Sequence, residues 1–229
     1  MPISPIEDIQ LLFEGDDLSQ YGLFPLFAWY LTDVIHLPEY FEQVTIKRKR
    51  NHKKPKVRRT PRYNDVQMCM GLTGIIVLGI NRFRKINNLL SGEGKLAELL
   101  GLPGWFDQST AHSYLNEFHK PHVQQFSSIN TKLLQTHGES TRQDFLVVDI
   151  DSQTHTLESR KRQGAVVGKN RKKPGKPCYQ WNVAFVRGEA VSQRLMAGNT
   201  TGRSILKWLI EDVTEKTSRI ISHKSVSCI

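Results

Sequence analysis

The chain has 229 residues, 38% of them hydrophobic and 24% charged, which is enough for one large domain or two small ones with apolar cores. Its longest apolar stretch, Gly71 to Ile80, is about half as long as a bilayer span requires, so no membrane partner is expected. The first basic residue is Lys47, which does not fit a secretory signal and predicts a cytoplasmic location.

Charge is distributed unevenly along the chain. The 32 basic and 22 acidic residues give a net charge of +10. Residues 1–45 contain eight acids and no Lys or Arg, whereas residues 46–62 contain ten basic residues and no acid. A second acid-free stretch, residues 160–176, adds eight more basic residues. The two basic tracts are therefore the most informative feature of the composition.

Clustered Lys and Arg side chains bind nucleic acids because they release the counterions condensed on phosphates. A polyanion, most simply a nucleic acid, is the partner that we expect. The alternative for each tract is a solvated, flexible run of charge. The predicted nucleic-acid contacts are Lys47, Arg48, Lys49, Arg50, Lys53, Lys54, Lys56, Arg58, Arg59 and Arg62 in the first tract, and Arg160, Arg162, Lys169, Arg171, Lys172 and Lys173 in the second.

The sequence predicts that the first half of the chain is helical. Apolar residues recur at helical spacing between Tyr21 and Phe41, which predicts an acidic helical segment over residues 1–45, followed by a basic linker over residues 46–62. Asn64 is a good helix cap and precedes a predicted buried helix over Val66 to Ile80. Further helices are predicted over residues 85–90, 95–100 and 110–136, the last with a break at Pro121. Residues 63–143 are thus a predicted helical unit.

The pattern changes at residue 144. The run from Phe145 to Asp151 predicts a strand buried on both faces. Alternation predicts strands over Cys178 to Val186, with one aromatic face, and over Ala190 to Met196, and an amphipathic helix follows over Ser204 to Val213. The predicted class is α+β, a mainly helical N-terminal half followed by a partial α/β unit over residues 144–229.

Two carboxylates lie on the first predicted strand. Because alternate residues of a strand share a face, Asp149 and Asp151 are expected side by side. Their mutual repulsion is most simply offset by a divalent cation, and oxygen ligands suit Mg²⁺ or Mn²⁺. The alternative is that one Asp caps a turn and the other binds a backbone amide. Cys69, Cys178 and Cys228 are too far apart in sequence for a metal motif and are interpreted as reduced, buried thiols.

Several segments together resemble one protein family. The core segments are VDIDS from Val148, CYQWNVAFV from Cys178 and LMAGN from Leu195. The upstream segments are Gly79-x-x-Arg82, LAELLGL from Leu96, and Ser109-Thr110 with Leu115 and Phe118. In this order they resemble DDE-type insertion-sequence transposases, in the subgroup whose RNase H-like core opens with Asp-x-Asp-Ser/Thr.

The resemblance implies a metal-dependent enzyme that cuts and joins DNA at the ends of a mobile element. It also implies double-stranded DNA as the partner and residues 63–143 as a helical DNA-binding region. Asp151 would be the first metal-binding acid, with Asp149 as its neighbour or second choice, and Mg²⁺ or Mn²⁺ would be the cofactor. The family also needs a second Asp after the first core helix and a later Glu, but no acid follows Glu215. A truncated, inactive product with a partial RNase H-like core is therefore expected.

Two alternatives remain from the sequence. The chain could be a non-enzymatic DNA-binding or regulatory protein that competes with a full-length relative for the ends of the element. A homodimer, or a mixed dimer with a full-length relative, is the protein assembly that we expect. An RNA-binding protein would explain the charge but not the acidic pair.

Overall fold

The computed structural model describes residues 19–46, 62–143, 145–159, 162–168, 170–171, 173–200 and 202–217. They combine helices with an antiparallel sheet, which confirms the α+β class. The chain divides into two compact units between Ile129 and Asn130. None of the described helices has the length and apolar character needed to cross a membrane.

The first unit is helical in its described part. A π-helical turn, Tyr30–Val34, and a 3₁₀ turn, Phe83–Lys85, interrupt the α-helices. Helix α7, Lys120–His137, contains the boundary between the units. The other helices of this unit are α1 Phe24–Trp29, α2 Leu37–Phe41, α3 Asp65–Val77, α4 Ile86–Leu89, α5 Gly94–Glu98 and α6 Gln108–Asn116.

Helix α3 begins at the predicted cap but ends earlier than predicted. The Asn64 side chain accepts a hydrogen bond from the Gln67 amide at 2.7 Å, and the Gln67 side chain accepts one from the Asn64 amide at 3.1 Å. At the other end, Gly79 has a φ of +70° and the Ile80 amide donates to the Ile75 carbonyl. This Schellman-type closure uses the left-handed conformation that Gly adopts easily, and it ends the helix at Val77.

The predicted helix over residues 110–136 is two helices, as expected, but the break is not at Pro121. Helix α6 ends at Asn116 and α7 begins at Lys120, so Pro121 lies in the first turn of α7. Proline is tolerated there because the first amides of a helix have no partner within it.

The second unit contains a four-stranded antiparallel sheet and helix α8, Gly202–Thr217. The strands are β1 Asp149–Thr156, β2 Val166–Val167, β3 Pro177–Val186 and β4 Glu189–Ala197. Strand β3 pairs with β1 along one edge and with β4 and the short β2 along the other. Of the three predicted strands, the second lies between the other two and is antiparallel to both of them.

One face of this sheet packs against helices. Leu134 of α7 and residues of α8 cover the alternate residues Ala184 and Val186 of β3. The aromatic face predicted for β3 is the opposite one, where Trp181 is 37% exposed. The buried cluster comprises Leu134, Ala184, Val186, Val191, Ile205, Leu209 and Val213.

The prediction for the first strand was wrong in two respects. The strand runs from Asp149 to Thr156 rather than from Phe145 to Asp151, because the polar residues after Asp151 pair with the long strand β3. It is also not buried on both faces. Leu146, Val148 and Ile150 pack on the core, whereas Phe145 is 77% exposed and the carboxylates face away from it.

Candidate functional site

Asp149 and Asp151 share the exposed face of β1. They lie opposite Phe185 and Val183 of β3, on the face of the sheet that α8 does not cover. Residues two apart on a strand have Cα atoms about 6.6 Å apart, so the two side chains are neighbours. The same-face placement predicted from the sequence is therefore observed.

Neither carboxylate is neutralised by a described cation. Asp151 accepts a hydrogen bond from the Ser152 amide at 2.8 Å, and its Oδ1 is the acceptor. Ion pairs among the described residues involve other carboxylates, for example those of Glu39, Glu139, Glu158, Glu211 and Asp212. The two acids are thus open to a ligand that carries positive charge.

The residues of the VDIDS segment have distinct structural roles. Val148 and Ile150 pack on the hydrophobic cluster, so the two Asp side chains point to the other face. The Ser152 hydroxyl donates to Oδ1 of Asn182 at 2.6 Å, and Asn182 is only 1% exposed. This bond fixes the strand that holds the acidic pair to the central strand of the sheet.

A divalent metal fits this pair in part. Mg²⁺ is commonly held by one or two carboxylates, together with water or phosphate oxygens. Asp149 and Asp151 can provide the two carboxylates. Within the described residues, however, no group of three or more His, Cys, Asp and Glu side chains is arranged to hold a metal ion. His155 lies further along the same face, but its ring lies 6.0 Å from that of Trp181, a packing contact.

The second basic tract lies in the connection between β1 and β3. Lys173 and Lys176 bind the two carboxylate oxygens of Glu158 at 3.2 Å and 3.0 Å, and these hydrogen bonds lower the pKa of Glu158. Arg162 and Arg171 are exposed. Glu158 therefore offsets part of the positive charge of this loop. Arg160, Lys169 and Lys172 lie outside the described residues.

Most of the first basic tract lies outside the described residues, and only Arg62 can be placed. Arg62 and the rings of Tyr63, Trp105 and Phe106 line a groove of about 650 Å³ in the first unit. The Arg62 guanidinium carbon lies 5.4 Å from the centre of the Tyr63 ring. The predicted contacts outside the described residues are Lys47, Arg48, Lys49, Arg50, Lys53, Lys54, Lys56, Arg58 and Arg59.

The cysteines that the structure describes are buried free thiols, as predicted. Burial raises the pKa of Cys69 to about 11, although a hydrogen bond with the Tyr114 hydroxyl opposes that shift. Cys178 is 0% exposed, and Cys228 lies outside the described residues.

Searches with protein-family models, among curated proteins and among solved structures found no match to this chain. The functional assignment therefore depends on the residues of the chain itself.

Proposed function

We propose that this chain comprises the DNA-binding region and the opening of an RNase H-like core of a DDE-type transposase. The observation that carries the proposal is the acidic pair on the open face of the first strand of an antiparallel sheet. In such a core the first strand carries the first metal-binding acid.

The strand order supports the same proposal. Successive long strands are neighbours, and a helix follows the third strand and packs back on one face. Among the described residues, β1 pairs with a strand on one edge only. An RNase H-like sheet places a further strand at this edge, next to the strand with the acids.

Asp149 and Asp151 would hold Mg²⁺ or Mn²⁺. In the relatives implied by the resemblance, such ions activate the attacking oxygen and stabilise the leaving oxygen during strand cleavage. The contribution of this chain is a rigid placement of two oxygen ligands, because β1 is bonded to β3 along its whole length.

Duplex DNA binding tests the proposal. We expect fluorescence anisotropy with a labelled DNA duplex to show binding that weakens steeply with salt. Replacing Arg48, Arg50, Arg58 and Arg59 with Gln should reduce the slope of log K against log salt by about 3 to 4, because each lost phosphate contact removes about 0.9.

The control is Lys207→Gln, which removes one charge from an 81% exposed side chain on α8, outside both tracts. It should change the slope by at most about 1. An unchanged slope in the Arg variant would contradict a role for the first tract, and a preference for structured RNA over duplex DNA would favour an RNA-binding protein.

A non-enzymatic DNA-binding protein is the second candidate, since the described residues bring together only two carboxylates at this site. Nicking of supercoiled plasmid in Mg²⁺ distinguishes the two roles. Nicking that is lost in Asp149→Asn/Asp151→Asn supports the transposase activity, whereas duplex binding without nicking supports the regulatory role.

A further inference from the structure

Helix α6 presents a polar face without charged residues. Gln108, Ser109, His112, Ser113 and Asn116 are all exposed. At 3.6 residues per turn these positions cover an arc of about 140° on one side of the helix. Every side chain on this arc can donate or accept hydrogen bonds, and Asn and Gln are the residues that pair with adenine edges in the major groove.

The opposite face anchors the helix. Ala111 is 0% exposed, and the hydroxyl of Tyr114 donates to the Asp65 carbonyl at 3.3 Å. At the N-terminus, Oδ1 of Asp107 accepts from the Thr110 amide at 2.7 Å. The polar arc is therefore held by a fixed helix rather than by a loop.

Basic residues flank the polar arc. The 3₁₀ turn Phe83–Lys85 contacts α6 and carries exposed Arg84 and Lys85. Shortly after it, the side chain of Asn87 accepts a hydrogen bond from the Gln108 amide at 2.9 Å. This bond holds the basic turn beside the first residue of the helix.

On its other side the arc meets the end of the first basic tract. Ser109 and Ser113 line the groove that also contains Arg62. The acids Asp107 and Glu117 line this groove as well, and hydrogen bonds from the Ser109 hydroxyl and the Thr110 amide, both at 2.7 Å, lower the pKa of Asp107 and keep its carboxylate ionised. The uncharged face thus has the basic turn with Arg84 and Lys85 on one side, and Arg62 accompanied by two acids on the other.

We propose that α6 reads base edges in the major groove of duplex DNA, while Arg84 and Lys85 contact the flanking phosphates. This inference depends on the proposed function, since it names the surface that gives its DNA binding sequence preference. Phosphate contacts position a protein on the duplex, and hydrogen bonds to base edges select the sequence.

The experiment is a selection from short duplexes with a randomised central segment, performed with the full chain. The affinity for the selected duplex is then divided by the affinity for a scrambled one to give a specificity ratio. We expect Gln108→Ala/His112→Ala/Asn116→Ala to lower this ratio by about tenfold or more and to leave the affinity for the scrambled duplex unchanged. Alanine favours helices, so the variant should remain folded.

Two further variants separate reading from positioning. Arg84→Ala/Lys85→Ala should weaken binding to both duplexes equally and lower the salt slope by about 2. The matched control is Gln124→Ala/Ser128→Ala, which alters an exposed polar pair four residues apart on α7. This variant should change neither the specificity ratio nor the salt slope.

The outcomes are distinguishable. If the wild-type chain selects a sequence and the α6 variant selects the same one with an unchanged ratio, the inference about α6 is wrong and the proposed function stands. Binding without any selected sequence also overturns it. If the wild-type chain binds no duplex at all, the proposed function and this inference both fail.

Discussion

Asp212→Ala is expected to destabilise the second unit by about 3 kcal/mol. The Asp212 carboxylate lies 2.8 Å from the Lys216 ammonium group, and the two side chains are only 17% and 10% exposed. It also accepts a hydrogen bond from the Ser192 hydroxyl, while Lys216 donates to the Val191 carbonyl at 3.2 Å. Removing the carboxylate leaves a buried ammonium group without its counter-charge, which is the costly way to break such a pair.

Helix α8 supplies a matched control. Glu211, adjacent to Asp212, pairs with Lys207 at 3.8 Å with the same four-residue spacing, but these side chains are 62% and 81% exposed. Glu211→Ala should therefore cost at most about 0.5 kcal/mol. A comparable loss of stability in Asp212→Ala and Glu211→Ala would show that the buried pair stabilises the unit no more than the exposed one.

Amide hydrogen exchange followed by mass spectrometry measures the loss of stability in each unit separately. In Asp212→Ala, peptides from β4 and α8 should exchange about a hundredfold faster, because each 1.4 kcal/mol changes an equilibrium about tenfold. Peptides from α3 should exchange as in the wild type. Unchanged exchange in α8 would contradict the account of the ion pair.

Gly168→Ala and Gly198→Ala are expected to destabilise the second unit. For Gly168→Ala the free energy of unfolding should fall by about 3 kcal/mol or more. A Cβ atom at Gly168 would lie 1.7 Å from the Gly198 carbonyl oxygen, and one at Gly198 would lie 2.4 Å from the Cys178 sulfur and 2.6 Å from its carbonyl oxygen. Because several of these atoms belong to the backbone, the connection around β2 must shift to accept either methyl group.

The control for these variants is Gly92→Ala, where an added Cβ meets no atom within 4 Å. Thermal unfolding monitored by circular dichroism should show a lower transition temperature for Gly168→Ala and Gly198→Ala. The transition temperature of Gly92→Ala should be almost unchanged. Wild-type stability in Gly168→Ala would contradict the close approach of the two backbones. The same approach gives a physical reason for Gly198 in the LMAGN segment.

Local patterns in the sequence predicted much of the fold. The alternation in β3 and β4, the amphipathic spacing of α8 and the Asn64 cap are all signals that involve neighbouring residues only. The end of α3 at Val77 was missed although Gly79 provided a signal, since a glycine after the last apolar residue is typical of a helix end.

The errors in the first strand have a different origin. The extent of β1 depends on its partner β3, and its exposed face depends on which side of the sheet α7 and α8 cover. Neither is encoded within residues 145–156 alone. Period-two alternation was enough to place Asp149 and Asp151 together, but not to show that their face is open.

The polar face of α6 was not predicted as functional. Its signal was the contrast between buried Ala111 and Tyr114 and the polar residues Gln108, His112 and Asn116. That contrast alone is also typical of any surface helix. The placement of the basic turn beside this face depends on its contacts with α6 and on the hydrogen bond from the Gln108 amide to Asn87, which are not local in sequence.

The most direct test of the proposed core is Mn²⁺ binding followed by nuclear magnetic resonance. We expect substoichiometric Mn²⁺ to broaden the amide signals of residues 149–152 and of Val183 and Phe185 across the sheet, and Asp149→Asn/Asp151→Asn to abolish the broadening. Glu211→Gln, which alters an exposed carboxylate on α8, should leave it intact. Broadening that is absent in the wild type, or that persists in the double variant, would contradict a metal site at the acidic pair.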